Sequence, residues 1–211
     1  MEIAFIGYGN VGGALADRLQ RLGHQVTLAA DDIASESLKT ALRRNAAFKA
    51  APTSDAVRAA EIVFLATPFQ ANESILAAIS GDLAGKVLID CTNPVGPGLS
   101  HGLKSAQSGS ETVQKLAPGA KVVKAFSIYG FENFENNAYP AFNVKPAMMF
   151  CGDDAAAKAA TASLISELGW EPVDVGGLEQ ALHLEHMTLL WVRLVRLGGH
   201  SPNLVWAALE R

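Results

Sequence analysis

A doubly wound, mostly parallel α/β sheet is predicted for this chain by three observations. Strand-like and helix-like patterns alternate from one end of the 211 residues to the other, which implies parallel strands covered by helices on both faces. The first strand-to-helix junction carries Gly7-Tyr8-Gly9-Asn10-Val11-Gly12, a G-x-G-x-x-G run. The second strand then ends in Asp31-Asp32, with Asp31 about 20 residues beyond Gly12. Strand, glycines, helix, strand and acid in that order form a dinucleotide-binding fingerprint.

Each part of the fingerprint has a physical reason. Ile3-Ala4-Phe5-Ile6 is a short apolar run that reads as a buried strand, and Val11, Leu15, Leu19 and Leu22 recur at helical spacing. Gly7 permits the tight turn between them. Gly9 lets the backbone approach a pyrophosphate, and Gly12 lets the helix lie close on the strand. The unpaired N–H groups of the first helical turn and the helix dipole then favour phosphate. Val26–Ala29 is the second strand, and Asp31 stands where an acid would meet a ribose hydroxyl.

Further along, residues 35–44 read as a helix with Leu38 and Leu42 inward, residues 47–50 as a short strand, and Ser54 as the cap of a helix over 55–60. Residues 61–66 form a strong apolar strand, 71–79 a helix and 86–91 another strand. Residues 92–108 are rich in Gly, Pro and Ser and read as a functional loop. A helix over 111–116 and a strand over 121–125 complete a six-stranded core, residues 1–125. The extension, 126–211, opens with an irregular stretch holding Phe131, Phe134, Tyr139 and Phe142, either packed aromatic anchors or the wall of a substrate pocket. A strand (147–151), a helix (155–168), a strand (170–175) and a long apolar helix (178–197) follow, so a single domain over 1–211 is expected.

Composition excludes several function classes. With 49% hydrophobic and 18% charged residues the chain is globular, and a net charge of −4 argues against nucleic-acid or membrane-surface binding. No apolar run approaches the ~20 residues of a membrane span. The first residues already read as strand, so no targeting segment is expected. The two cysteines, Cys91 and Cys151, each close a strand-like run and read as buried, inert thiols in a reducing cytoplasm. His183 and His186 share a helix face, but no third ligand accompanies them, so no metal site is expected. His24 reads as a turn residue.

In parallel sheets ligands bind at the carboxyl ends of the strands. The segments there are Gly7–Gly12, Ala30-Asp31-Asp32, Thr67-Pro68-Phe69, Cys91–Gly96 and Ala125-Phe126-Ser127.

Taken as an ordered set, Ile6–Gly12, Leu22-Gly23-His24, Asp90–Pro94, Val122–Phe126, Phe150–Asp154 and Pro172–Gly176 resemble the deazaflavin (coenzyme F420)-dependent NADP oxidoreductase family. They are also similar to the oxidoreductase domain of the six-transmembrane epithelial antigen of prostate metalloreductases. The resemblance implies that Tyr8, Gly9, Asn10 and Val11 contact the pyrophosphate, and that Thr67, Pro68, Asn93, Pro94 and Ala125 line the nicotinamide side. It implies direct hydride transfer between nicotinamide and a deazaflavin or flavin, a reaction that needs alignment and dryness more than an acid or base. No catalytic residue is singled out.

One departure stands out. Where the family has a small polar residue and an Arg for the 2′-phosphate of NADP, this chain has Ala30 and Asp31, which leans the expectation towards NAD. Lys39, Arg43 and Arg44 lie farther along and could reach back, and both aspartates could simply cap a helix or face water. Two other functions stay open: a dinucleotide-binding sensor without turnover, and a dehydrogenase of a small carbonyl substrate with Tyr129, Lys124 or a late histidine as proton donor. A homodimer is expected through Leu189, Leu190, Val192, Leu194 and Val195 of the last helix.

Overall fold

The computed structural model describes residues 1–211. The core elements are β1 (Glu2–Ile6), α1 (Asn10–Arg21), β2 (Gln25–Ala29), α2 (Glu36–Arg44), β3 (Lys49–Ala51), α3 (Thr53–Ala59), β4 (Ile62–Leu65), α4 (Asn72–Ile79) and β5 (Val87–Asp90). A two-residue hairpin, β6 (Val95–Gly96) and β7 (Ser100–His101), precedes α5 (Gly109–Leu116) and β8 (Lys121–Lys124). The extension comprises α6 (Phe131–Glu135), β9 (Ala147–Gly152), α7 (Ala155–Glu167), β10 (Glu171–Asp174) and α8 (Ala181–Val192).

One eight-stranded sheet runs in the order β10-β9-β8-β5-β4-β1-β2-β3. Every pairing is parallel except β8 with β9. The predicted doubly wound, mostly parallel sheet extended by C-terminal strands is therefore the fold observed.

Strand residues alternate between two cores. Phe5, Phe64 and Ile89 face a layer containing α1, α7 and Trp170, where Phe5 stacks on Phe64 at 4.5 Å. Ile6, Val63, Leu65 and Leu88 face α3, α4 and α5. Both faces being covered explains the near-continuous apolar runs of β4 and β5. Arg18 of α1 donates to the carbonyls of Phe134 (3.3 Å) and Leu168 (2.5 Å), tying the core to the extension.

Several expectations change. Ser54 does not cap a helix: α3 starts at Thr53 after Pro52, and the Ser54 hydroxyl instead bonds Asp82 and accepts from Arg58. The long final helix is three pieces: a 3₁₀ turn at Leu178–Gln180, α8, and a π turn over Arg193–Leu197. Val195 is buried in the core, so it is not on a free face; Leu190 and Leu197 are the exposed apolar residues there. Residues beyond 198 carry no helix or strand but are pinned down. Ala147 donates to the Trp206 carbonyl at 2.8 Å, and Trp191 Nε1 donates to the Leu204 carbonyl at 2.7 Å.

The aromatic stretch divides between its two readings. Phe134 is fully buried beside Phe126 and Trp170, an anchor in the core. Tyr139 and the exposed Phe142 line a separate apolar cavity of about 300 Å³ with Leu204, Val205 and Trp206.

Candidate dinucleotide-binding cleft

The β1–α1 turn is built as its glycines require. Gly7 adopts φ +87°, open to glycine, and a Cβ there would lie 2.6 Å from the Ala66 carbonyl oxygen. A Cβ on Gly12 would lie 2.0 Å from the Gly7 carbonyl oxygen. Gly9 differs: a Cβ there meets no atom of the protein, so its side faces open space where a ligand could approach. Gly9 also caps α1 without a side chain, and no acid stands in the first turn. The N–H groups at the head of α1 thus stay free for an anion.

A cleft of about 640 Å³ opens over this turn. Gly7, Tyr8, Gly9, Ala30, Asp31 and Thr67, six of the residues expected at the site, line it together. Ser35, Ser37, Thr53, Ser74 and Ile75 also line it; Ser35, expected inside the helix over 35–44, is instead the cap of α2. Asn10 and Val11 head α1, and Gly12 is buried behind the turn.

Asp31 is held in place: one carboxylate oxygen accepts the Thr53 N–H at 2.8 Å, so it caps α3. Asp32 accepts the Ala34 N–H at 2.9 Å in a local turn. No lysine or arginine lines the cleft. Lys39 pairs with Glu36 (2.8 Å), Arg43 donates to Thr40 (2.9 Å) and Arg44 pairs with Glu135 (3.1 Å).

The strand order places the other expected segments in a row. From β1 outward come β4, β5 and β8, so Thr67-Pro68, Asn93-Pro94 and Ala125 follow one another along the carboxyl edge; Thr67 lines the cleft and the others lie outside its lining. The chain turns one way from β1 to β2 and the other way to β4, and in doubly wound sheets the crevice at such a reversal is where a dinucleotide fits. Asn93 donates to the Ser127 carbonyl (3.1 Å) and accepts from Thr188 (3.1 Å), so its side chain ties the loop to α8. After Ala125 the buried Phe126 takes φ +53°, and the Ser127 hydroxyl, 2% exposed, has no partner. An orphaned buried hydroxyl and a glycine facing open space both fit a dinucleotide laid along this edge.

Beneath the Thr92–Pro94 loop lies a polar cluster that sequence reading did not assemble. Asp90 accepts from Thr92 N–H (2.9 Å), Thr92 Oγ1 (2.7 Å) and Ser110 Oγ (2.6 Å). Lys124, fully buried, donates to the Thr92 carbonyl and lies 3.4 Å from both Asp90 and Glu185. Burial alone would push the Lys124 ammonium down, but Asp90 and Glu185 outweigh it and hold it above the ordinary lysine value. Glu185 accepts from Gly109 N–H at the head of α5 (2.8 Å) and from His101 Nε2 (2.7 Å). The signal available was a charge closing or interrupting each of three apolar runs.

Of the groups considered as proton donors, Tyr129, Lys124 and His186 are hydrogen-bonded within the protein, while His183 is exposed. Tyr129 is buried, donates its hydroxyl proton to the Ala147 carbonyl (2.6 Å) and accepts from Trp206 N–H. His186 bonds Ser105 (2.9 Å), and His24 pairs with Glu167 (2.8 Å) at its turn. Cys91 and Cys151 are free and buried, and burial pushes the Cys151 thiol up to about 12.

Residues 2–94 match the family described as NADP oxidoreductase, coenzyme F420-dependent. The F420-dependent NADP reductase of Methanothermobacter marburgensis is 28% identical over 209 residues, covering 92% of each chain. Metalloreductase STEAP3 of Rattus norvegicus is 28% identical over 89% of this chain, which spans only 36% of that protein. Among solved structures, a candidate F420-dependent NADP reductase from Arthrobacter sp. FB24 superposes with a TM-score of 0.89 at 29% identity over the whole of both chains. A 3-hydroxyisobutyrate dehydrogenase of Mycobacterium tuberculosis, at 15% identity and a TM-score of 0.66, shares the fold. Residues 2–94 thus match the coenzyme F420-dependent NADP oxidoreductase model, and over most of its length the chain is similar to F420-dependent NADP reductases, the likeness that its motifs carry.

Proposed function

We propose that this protein transfers hydride between a nicotinamide dinucleotide bound along the carboxyl edge of the sheet and a deazaflavin or flavin. The observation that carries the proposal is the anion-ready glycine turn at the head of that edge, along which Tyr129, Lys124 and His186 are already engaged in hydrogen bonds. Hydride transfer asks the protein to align two rings and exclude water, with no proton to supply to the reacting carbon. Tyr8, Gly9, Asn10 and Val11 would hold the pyrophosphate; Thr67, Pro68, Asn93, Pro94 and Ala125 would border the nicotinamide.

The cofactor of choice in this reading is NAD. Asp31, fixed by Thr53, presents its second oxygen where a ribose 2′-hydroxyl would donate, and a 2′-phosphate would meet a carboxylate with no cation in the cleft wall. A homodimer formed over Leu190 and Leu197, with the partly buried Leu189, Val192 and Leu194, would cover the apolar side of the last helix. The protein would work in the cytoplasm, where its two thiols stay reduced.

The test is nicotinamide absorbance with NADH or NADPH and with deazaflavin or FMN as acceptor. Turnover with either acceptor supports the reading, and nucleotide binding without turnover in any pairing overturns it. Asp31→Ser should raise the NADPH-to-NADH ratio of kcat/KM by about tenfold or more; an unchanged ratio would remove Asp31 as the selector.

A further inference from the structure

The buried cluster under the Thr92–Pro94 loop has a definite charge. Every partner of Asp90 and Glu185 donates a proton to them, so both are carboxylates. Lys124 is the cation between them. His101 looks like a second cation, but its Nδ1 accepts the backbone N–H groups of Leu103 (3.3 Å) and Ser105 (3.1 Å). A nitrogen that accepts carries no proton, so His101 is the neutral tautomer that donates from Nε2 to Glu185. One negative charge is therefore left over. The head of α5, whose Gly109 N–H meets Glu185, offsets it by roughly half a charge. The side chains of Asp90, Lys124 and Glu185 are at most 1% exposed, so salt screens this charge little.

The neighbouring edge is where, on the proposed function, the nicotinamide ring lies. That ring is neutral when reduced. It becomes a monocation when a hydride, one proton with two electrons, leaves for the acceptor.

We propose that the net charge of the Asp90–Lys124–Glu185 cluster selects the oxidised, cationic nicotinamide over the reduced, neutral one, and so biases the site towards giving up hydride. Asp90 and Glu185 act as positioning and electrostatic residues and do not touch the reacting atoms. The inference rests on the nucleotide-binding reading above, but not on which acceptor is used.

The experiment is calorimetric titration of the full chain with NAD⁺ and with NADH, the phosphorylated pair in parallel. Glu185→Gln removes the surplus charge while keeping the shape and the hydrogen-bond acceptor. It should lower the preference for the oxidised form, the ratio of the NADH to the NAD⁺ dissociation constant, by about tenfold. His101→Gln is the control, because Gln can still donate to Glu185 and the charge is unchanged; its ratio should match the unsubstituted protein. If Glu185→Gln weakens both forms alike, or if both variants move the ratio equally, the cluster only holds the loop and the proposal fails. If the unsubstituted protein binds neither form, the nucleotide reading fails with it.

Discussion

The two halves of the sheet's carboxyl edge are assembled by different physics. On the β1–β2 side the features that mark the cleft come from one βαβ unit and the residues just after it: glycines whose missing Cβ atoms allow close backbone approach, a helix head left uncapped, and an acid one strand away; α3 and α4 add only parts of the wall. On the β5–β8 side the shape comes from residues up to 95 positions apart, such as Thr188 on Asn93 and Glu185 on His101. The first half is a local backbone solution and tolerates an open, exposed cleft. The second is a buried polar network, whose members must all be satisfied because a lone buried charge is costly.

That contrast can be broken at its most costly point first. Lys124→Met leaves two buried carboxylates facing each other without a cation, and should destabilise the protein by about 3–5 kcal/mol, a drop of roughly 10 °C in Tm. A Tm within 2 °C of the unsubstituted protein would mean that the network is not the keystone described here. Gly12→Ala comes next. Its Cβ would meet backbone oxygen at 2.0 Å, and about 3 kcal/mol of stability should go together with nucleotide binding.

Gly9→Ala sharpens the comparison from the other direction. Its Cβ meets nothing in the protein, so Tm should hold while the dissociation constant for the nucleotide rises about tenfold. Loss of stability without loss of binding would reverse the roles assigned to the two glycines. The smallest effect concerns the capping box that starts α5. Ser108 N–H holds the Glu111 carboxyl below its ordinary value, against burial and with help from the Ser108 hydroxyl and Lys115. A carboxyl lowered on folding stabilises above its unfolded value near pH 4.3 and loses that contribution as pH falls through its folded value. Glu111→Gln should therefore lower the urea midpoint at pH 7 but barely change it at pH 3.

How much was legible in the sequence follows the same division. Gly7, Gly9, Gly12 and Asp31 could be placed because short spacing along the chain equals short distance in a βαβ unit. Asp90, Lys124 and Glu185 were each visible as a charge beside apolar residues, yet nothing in their spacing said that they meet. Ser54 was misread for a related reason. A serine ahead of a helix pattern is a good cap signal, but the backbone turn at Pro52 started α3 earlier and released Ser54 to Asp82 and Arg58. Val195 was misread because an apolar helix shows its hydrophobic content in sequence but not which side is covered.

By itself the sequence determined the alternation of strands and helices, the glycine turn, the acid after β2 and the likeness to F420-dependent oxidoreductases. These depend on periodicity and on steric needs that act between near neighbours. Only the tertiary structure decided that Asp31 is anchored by Thr53, that Tyr129 has no proton to give, and that a surplus negative charge is buried beneath the Thr92–Pro94 loop. Those outcomes depend on which distant donor reaches which acceptor once water is excluded, and that is set by the order of strands in the sheet.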